Sequence, residues 1–202
     1  MKSEETNKEF LGKLFLIVGP SGSGKGTVIE ELKSFYPAFV YPVSYTTREM
    51  REGEEDGVVY NFVSKEEFER MIADDELLEY AVVHSNNYYG TSKKDLLDPL
   101  RGGAVVVREV DIQGFHSIQK LVPKENLVSI FMHVGDLDEL RTRILRRGEL
   151  SDEELQRRLD SAAKELLQSG DCDYQIPNEW GKIDECVGRV QTVILDEIDG
   201  LY

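Results

Sequence analysis

A five-residue apolar run, Leu14-Phe15-Leu16-Ile17-Val18, leads straight into Gly19-Pro20-Ser21-Gly22-Ser23-Gly24-Lys25-Gly26-Thr27. Val28-Ile29-Glu30-Glu31-Leu32-Lys33 follows, with apolar residues at positions 28, 29 and 32. The run reads as a buried parallel strand, and the segment after the glycines as a helix. A strand that turns through glycines into a helix lets backbone N–H groups converge on one point, the arrangement that cradles a phosphate. The helix start adds unpaired N–H groups and the positive end of its dipole. Lys25 supplies a mobile cation for the outer phosphates of a nucleotide. The competing reading is a glycine-rich turn with no ligand, and the strand and helix on either side weigh against it.

The spacing Gly19-x4-Gly24-Lys25 fits the Walker A pattern, except that Gly26 stands where a Ser or Thr is usual and the hydroxyl comes one place later, at Thr27. The Gly-Lys-Gly-Thr ending resembles that of adenylate kinases and some other nucleoside monophosphate kinases. A Walker hydroxyl ordinarily touches Mg²⁺, so the shift bears on how a metal would be held.

Composition narrows the partners. At 202 residues and 40% hydrophobic content the chain can bury one core. A formal net charge of −15 repels nucleic acid and anionic membranes, so a nucleotide site must be a local island of positive charge. Cys172 and Cys186, with His84, His116 and His133, lack metal-ligand spacing, and two cysteines make no disulfide framework. The first ten residues, MKSEETNKEF, are acidic without a signal-type apolar core, and no run approaches a membrane span. The expectation is a cytoplasmic protein working as a monomer or a homodimer.

Further along, residues 1–12 read as a polar tail and Pro37 stops the first helix. Phe39–Ser44 reads as an edge strand, since Pro42 cannot sit in a central one. Next come Ser44-Tyr45-Thr46-Thr47-Arg48, Arg51, Gly53-Glu54, Gly57, Tyr60 and Phe62. Two neighbouring guanidinium forks can grip a phosphate, with the Tyr60 hydroxyl adding a donor. They can equally pair with Glu49, Glu52, Glu54 and Glu55 on a solvated loop. This stretch resembles the guanylate kinase motif S-x-T-T-R-x-x-R-x-G-E-x-x-G-x-x-Y-x-F, and the resemblance extends from about Leu14 to about Ile198. It implies that Arg48, Arg51, Tyr60 and Tyr89 hold the phosphate of an acceptor GMP.

Ser64-Lys65-Glu66-Glu67 is a capping box for a helix to about Ala73. Leu77–Val83 reads as a strand carrying Glu79, whose carboxylate could accept both guanine donors, N1–H and the 2-amino group, and would repel adenine N1. The alternative is a glutamate facing solvent. The resemblance gives Glu79 the guanine-reading role, with Ser44 and Thr91 on other base edges. His84–Thr91 resembles the family's H-G-N-Y-Y-G-[ST] with one extra residue before the tyrosines. Ser92 and Asp95 cap a helix to Leu100, which Gly102-Gly103 ends.

Ala104–Asp111 reads as a core strand and resembles the family's L-[ED]-[IV]-D-x-Q-G, with Arg108 in place of an apolar residue. Its acidic end suits Mg²⁺ or its water shell, or the acceptor nucleotide, and the roles of Glu109 and Asp111 stay undivided. Leu127–His133 is another apolar strand, and Asp136 with Glu139 caps the next helix. Arg141, Arg143, Arg146 and Arg147 crowd its end; Arg143 and Arg147, four apart, repel unless an anion sits between them. A solvated basic face is the alternative. By resemblance to R-L-x-x-R-G, Arg143 and Arg147 are lid arginines that close over ATP. Ser151 and Glu154 cap a helix to about Gln168, in which Arg158 fits the family's third phosphate arginine or a simple i,i+4 partner of Glu154. Asp173–Ile176 reads as the last strand, Asn178 matches the asparagine of the family's V-N-D-D near the adenine, and Pro177, Glu179 and Trp180 depart from that pattern. A final helix spans about Ile183–Glu197.

Together these imply an α/β fold, a three-layer P-loop kinase sandwich on a central parallel sheet. The core would be 13–43 and 92–202, with an inserted GMP-binding lobe at 44–91 and an arginine-rich lid at about 141–160. The implied activity is transfer of the γ-phosphoryl of MgATP to GMP. Two rivals stay open: a guanylate-kinase-like module that binds phosphopeptides, and a kinase for another phosphorylated acceptor.

Overall fold

The computed structural model describes residues 9–83, 87–146 and 150–199. Strand β1 (Lys13–Val18) passes through the glycine loop into helix α1 (Lys25–Phe35). Then come β2 (Tyr45–Thr46), β3 (Asn61–Phe62), α2 (Lys65–Ala73), β4 (Leu77–Val83), β5 (Asn87–Ser92) and α3 (Lys93–Arg101). They are followed by β6 (Val105–Val110), α4 (Ile112–Ile118), β7 (Leu127–His133), α5 (Leu137–Leu145), α6 (Asp152–Leu167), β8 (Tyr174–Pro177) and α7 (Ile183–Asp199). The chain divides into two compact units. One comprises Val40–Val106 with the described residues up to Gly12, the other Lys13–Phe39 with the chain from Val107 onward.

The second of these units is built on a four-stranded sheet in the order β6-β1-β7-β8, with β1 parallel to β7 and β7 parallel to β8. Leu14 to Val18 are fully buried, as expected of a strand covered on both faces. Helix α4 packs on β1, α7 on β8, and α1 on α7. Each fully buried Leu, Ile or Phe in such layers contributes about 1.5–3 kcal/mol. Helices α5 and α6 pack on each other around Leu140, Ile144, Leu155 and Ala162. Both open on the expected caps: Asp136 accepts from the Glu139 N–H at 2.7 Å, and Ser151 from that of Glu154 at 3.2 Å. This is the expected α/β architecture.

The other unit carries a small mixed sheet, β3-β2-β5-β4, in which β2 runs parallel to β3 and antiparallel to β5, and β4 pairs antiparallel with β5. Phe68, Met71 and Leu77 form its core. Ser64 caps α2 and Ser92 caps α3 as expected, the latter accepting from the Asp95 N–H at 3.3 Å. Gly103, at φ +86°, ends α3: its N–H reaches Leu100 and that of Ala104 reaches Pro99. The expected edge strand over Phe39–Ser44 is corrected to a single bridge, Val40 with Val106. Pro42 has no N–H to carry a ladder further. Among the described residues no helix is long and apolar enough to cross a membrane.

Candidate active site

The phosphate loop hangs between β1 and α1. Ser23 is fully buried inside it, and its N–H closes a turn on the Pro20 carbonyl at 3.1 Å. Gly24 is the N-cap of α1 at φ +95°, and a Cβ there would run into the Asn178 amide. No side chain caps α1 and no acidic residue stands in its first turn. A helix N-terminus usually attracts a carboxylate of its own; this one leaves that position to an outside anion. Lys25 Nζ folds back to donate to the Gly19 carbonyl at 2.5 Å and the Pro20 carbonyl at 3.0 Å.

The loop is propped from β8. Asn178, 3% exposed, donates its side-chain amide to the Ser23 carbonyl at 2.8 Å, and its backbone N–H to His133 at 2.7 Å. Its own carbonyl accepts from Arg143 Nη2 at 2.6 Å, and the same nitrogen pairs with Glu139. The guanidinium groups of Arg143 and Arg146 lie over the Trp180 ring, at 5.6 Å and 4.3 Å. Arg147, the second expected lid arginine, lies outside the described residues. Arg158 pairs with Glu154 at 2.8 Å, alongside Arg157. Hydrogen bonds from Arg157 first, then Arg158, pull the Glu154 carboxyl down to about 2.

At the end of β6, Glu109 Oε2 comes to 3.8 Å of where Gly26 would carry a Cβ. Asp111 spends Oδ1 on the Gly114 N–H at 2.7 Å, capping α4. Thr27 is exposed on α1. Glu165, absent from the sequence reading, is buried on α6 with Oε2 unpartnered among the described residues. Burial raises its carboxyl pKa, while nearby Lys25 opposes and Asp111 adds to the rise. Its signal was available: Glu165 stands three residues after buried Ala162 on the inward stripe of α6.

In the other unit, three expected acceptor residues, Glu79, Tyr89 and Thr91, lie on the small sheet, and four, Ser44, Arg48, Arg51 and Tyr60, lie outside its strands. A register shift between Leu77 and Glu79 sets Glu79 opposite Thr91, and the Thr91 hydroxyl donates to Glu79 Oε1 at 2.6 Å. Ser44 immediately precedes β2, whose Tyr45 pairs with Gly90. Tyr60 packs edge-on to Tyr89, with centroids 5.6 Å apart. Arg48 lies over Tyr60 at 5.5 Å and over Phe62 at 5.4 Å, and donates to Glu54 at 2.8 Å. That hydrogen bond raises the Arg48 pKa and lowers that of Glu54, whose second oxygen accepts from the Arg51 N–H at 2.8 Å. Arg51 itself is exposed on the loop. The ion pair and the aromatic cluster therefore coexist.

A family model described as guanylate kinase matches residues 11–197. The chain belongs to the guanylate kinase family. It is 41% identical over 186 residues to a guanylate kinase of Oceanobacillus iheyensis, covering 92% of this chain and 88% of that one. A guanylate kinase of Clostridium tetani is 42% identical over 189 residues, covering 92% of this chain and 86% of its relative. The crystal structure of guanylate kinase from Anaplasma phagocytophilum superimposes with a TM-score of 0.67 at 30% identity, covering 94% of this chain and 87% of that one. TT1252 from Thermus thermophilus, at 16% identity and a TM-score of 0.52, shares the fold. The glycine loop, Arg48 and Arg51 all lie within the matched residues. Trp180 stands where the family motif carries a carboxylate.

Proposed function

We propose that this chain transfers the γ-phosphoryl of ATP to GMP, giving ADP and GDP. An oxygen of the GMP phosphate attacks the γ-phosphorus, the bond to the β–γ bridging oxygen breaks, and ADP leaves with that electron pair. The acceptor is already an anionic nucleophile, so no covalent enzyme intermediate is needed. The chain's work is positioning and charge neutralisation. Lys25 exchanges its two loop carbonyls for the outer phosphates of ATP, which the N–H groups from Gly19 to Thr27 cradle. Arg143 and Arg147 face the triphosphate from the lid at about 141–160, with Arg158 released from Glu154 to join them, and Asn178 sits near the adenine. Arg48, Arg51, Tyr60 and Tyr89 bind the GMP phosphate in the lobe at 44–91. Ser44, Glu79 and Thr91 read the guanine, and Asp111 approaches the acceptor nucleotide or the metal.

Mg²⁺ would supply further neutralisation of the phosphates when it arrives with ATP. Among the described residues no group of three or more acidic, His or Cys side chains could cage a metal. Scattered oxygens near the loop, those of Thr27, Glu109 and Asp111, fit an ion that keeps several waters. The enzyme acts on free nucleotides in the cytoplasm, as a monomer or a homodimer, without nucleic acid or membrane partners.

The Thr91–Glu79 pair carries this reading, because it holds a carboxylate in place for the two adjacent donors that guanine offers and adenine lacks. The test is a coupled assay of ADP formation from ATP with GMP, IMP, AMP, CMP and UMP. GMP should be strongly preferred and IMP, lacking the 2-amino group, weak. Turnover of AMP or a pyrimidine nucleotide at the GMP rate would reject the acceptor assignment.

A further inference from the structure

Trp180 is the only tryptophan in the chain, and it lies 44% exposed two residues beyond the asparagine that props the phosphate loop. Its ring carries two cations, Arg146 at 4.3 Å and Arg143 at 5.6 Å from the centroid. Both distances lie within reach of the attraction between a guanidinium and the negative face of an indole. The two arginines stand three apart at the end of α5, where like charges repel. Arg143 is tethered besides by Glu139 and the Asn178 carbonyl, whereas the structure gives Arg146 no carboxylate partner among the described residues.

A carboxylate could also hold Arg146, but, added to the Glu139 that Arg143 already meets, it would offset the charge that a phosphate needs, in a chain that already carries −15. An indole holds a cation and leaves its charge in place. We infer that Trp180 is a positioning residue, whose ring keeps the Arg146 guanidinium gathered beside Arg143, without a further carboxylate, for the donor triphosphate before ATP arrives. This rests on the reading of Arg143 as a donor-side arginine. A long Arg146 side chain left loose would have to be ordered on binding, and holding it in advance removes part of that cost.

The experiment compares Trp180→Leu and Trp180→Phe with the wild type by steady-state kinetics in both substrates, with melting temperature alongside. Trp180→Leu keeps bulk and loses the π face, so the KM for ATP should rise roughly threefold to tenfold, the scale of one or two surface cation–π contacts. The KM for GMP and the melting temperature should stay near wild type, and Trp180→Phe should recover most of the loss. An unchanged KM for ATP in Trp180→Leu overturns the inference. So does an equal rise in both KM values or a broad loss of stability, either of which marks the ring as merely structural.

Arg143→Ala in the same assay separates the two levels of the argument. If it leaves KM for ATP and kcat untouched, the donor-side reading falls and this inference with it. If it impairs ATP use while Trp180→Leu does not, this inference alone falls. Because the chain has one tryptophan, ATP should also change its emission saturably, and Arg146→Ala should remove much of that change. Emission blind to ATP would contradict a ring in contact with the arginines that meet the triphosphate.

Discussion

In the proposed sites, the polar groups offered to a phosphate between Gly19 and Lys25 belong mainly to the backbone, whereas in the segment from Tyr45 to Ser92 they belong to side chains. The loop is anchored among buried residues: Val18 and Ser23 are fully buried and Asn178 is 3% exposed. The proposed acceptor residues sit instead on β4 and β5 of the small sheet and on a loop held by the Arg48–Glu54 pair. Backbone donors cannot be mutated away and need only the right φ values. A side-chain site is set residue by residue. Substitutions in the first region should therefore act through its single charged side chain, and in the second through many.

Lys25→Met should give the largest loss, on the order of a thousandfold in kcat, the scale of losing a preorganised electrostatic group at the transferring phosphoryl. Its melting temperature should hardly move, since the glycines and the Asn178 amide shape the loop without it. Wild-type turnover in this variant would remove the phosphate-loop assignment altogether. Next comes Glu79→Gln, which turns one acceptor oxygen into a donor facing a guanine N–H. Such a buried mismatch costs about 2–3 kcal/mol, roughly thirtyfold to a hundred-and-fiftyfold in kcat/KM for GMP. AMP should gain relative to GMP. If the ratio of kcat/KM for GMP and AMP is the same in wild type and variant, Glu79 does not read the base.

The same contrast explains what the sequence made legible. Strand, glycines and helix announce the loop because its chemistry follows from backbone geometry and spacing. Four helix caps were readable for a similar reason, since Ser64, Ser92, Asp136 and Ser151 each bond the N–H three residues on, whereas Asp111, which caps α4, was read only as the acidic end of a strand. The proposed acceptor site was not readable from residue chemistry alone, where Arg48 and Arg51 suited a solvated loop better, and only the motif reversed that reading. Its geometry depends on the irregularity between Leu77 and Glu79, which leaves no mark in composition. Regular pairing onward from Leu77 and Ser92 would have set Glu79 opposite Gly90, with its carboxylate away from Thr91. The stacking of Arg143 and Arg146 on Trp180 was equally hidden, because it joins residues more than thirty positions apart.

A reciprocal pair of variants would break the comparison most directly. Arg48→Ala should raise the KM for GMP by roughly tenfold to a hundredfold, since it removes a charge-assisted contact to the acceptor phosphate. It should leave the KM for ATP nearly alone. Arg143→Ala should do the reverse, lowering kcat and raising the KM for ATP with little effect on GMP affinity by calorimetry. Crossed effects, with GMP affinity collapsing in Arg143→Ala and unchanged in Arg48→Ala, would mean that donor and acceptor regions have been exchanged.

Thr91→Val carries the smallest expected effect and divides the labour inside the acceptor site. Thr91 is 2% exposed, and valine matches its shape, so packing and melting temperature should hold. What disappears is the hydroxyl that donates to Glu79 Oε1 at 2.6 Å. If Thr91 mainly orients that carboxylate, the two guanine donors can still bind it, at the cost of fixing a side chain that now turns more freely. The loss is then about 1 kcal/mol, roughly threefold to tenfold in kcat/KM for GMP. IMP should suffer by a similar factor, since an orienting role does not depend on the 2-amino group. If Thr91→Val instead costs as much as Glu79→Gln, and costs GMP far more than IMP, then Thr91 itself reads the 2-amino edge. The Glu79 carboxylate would in that case be the support and the hydroxyl the reader.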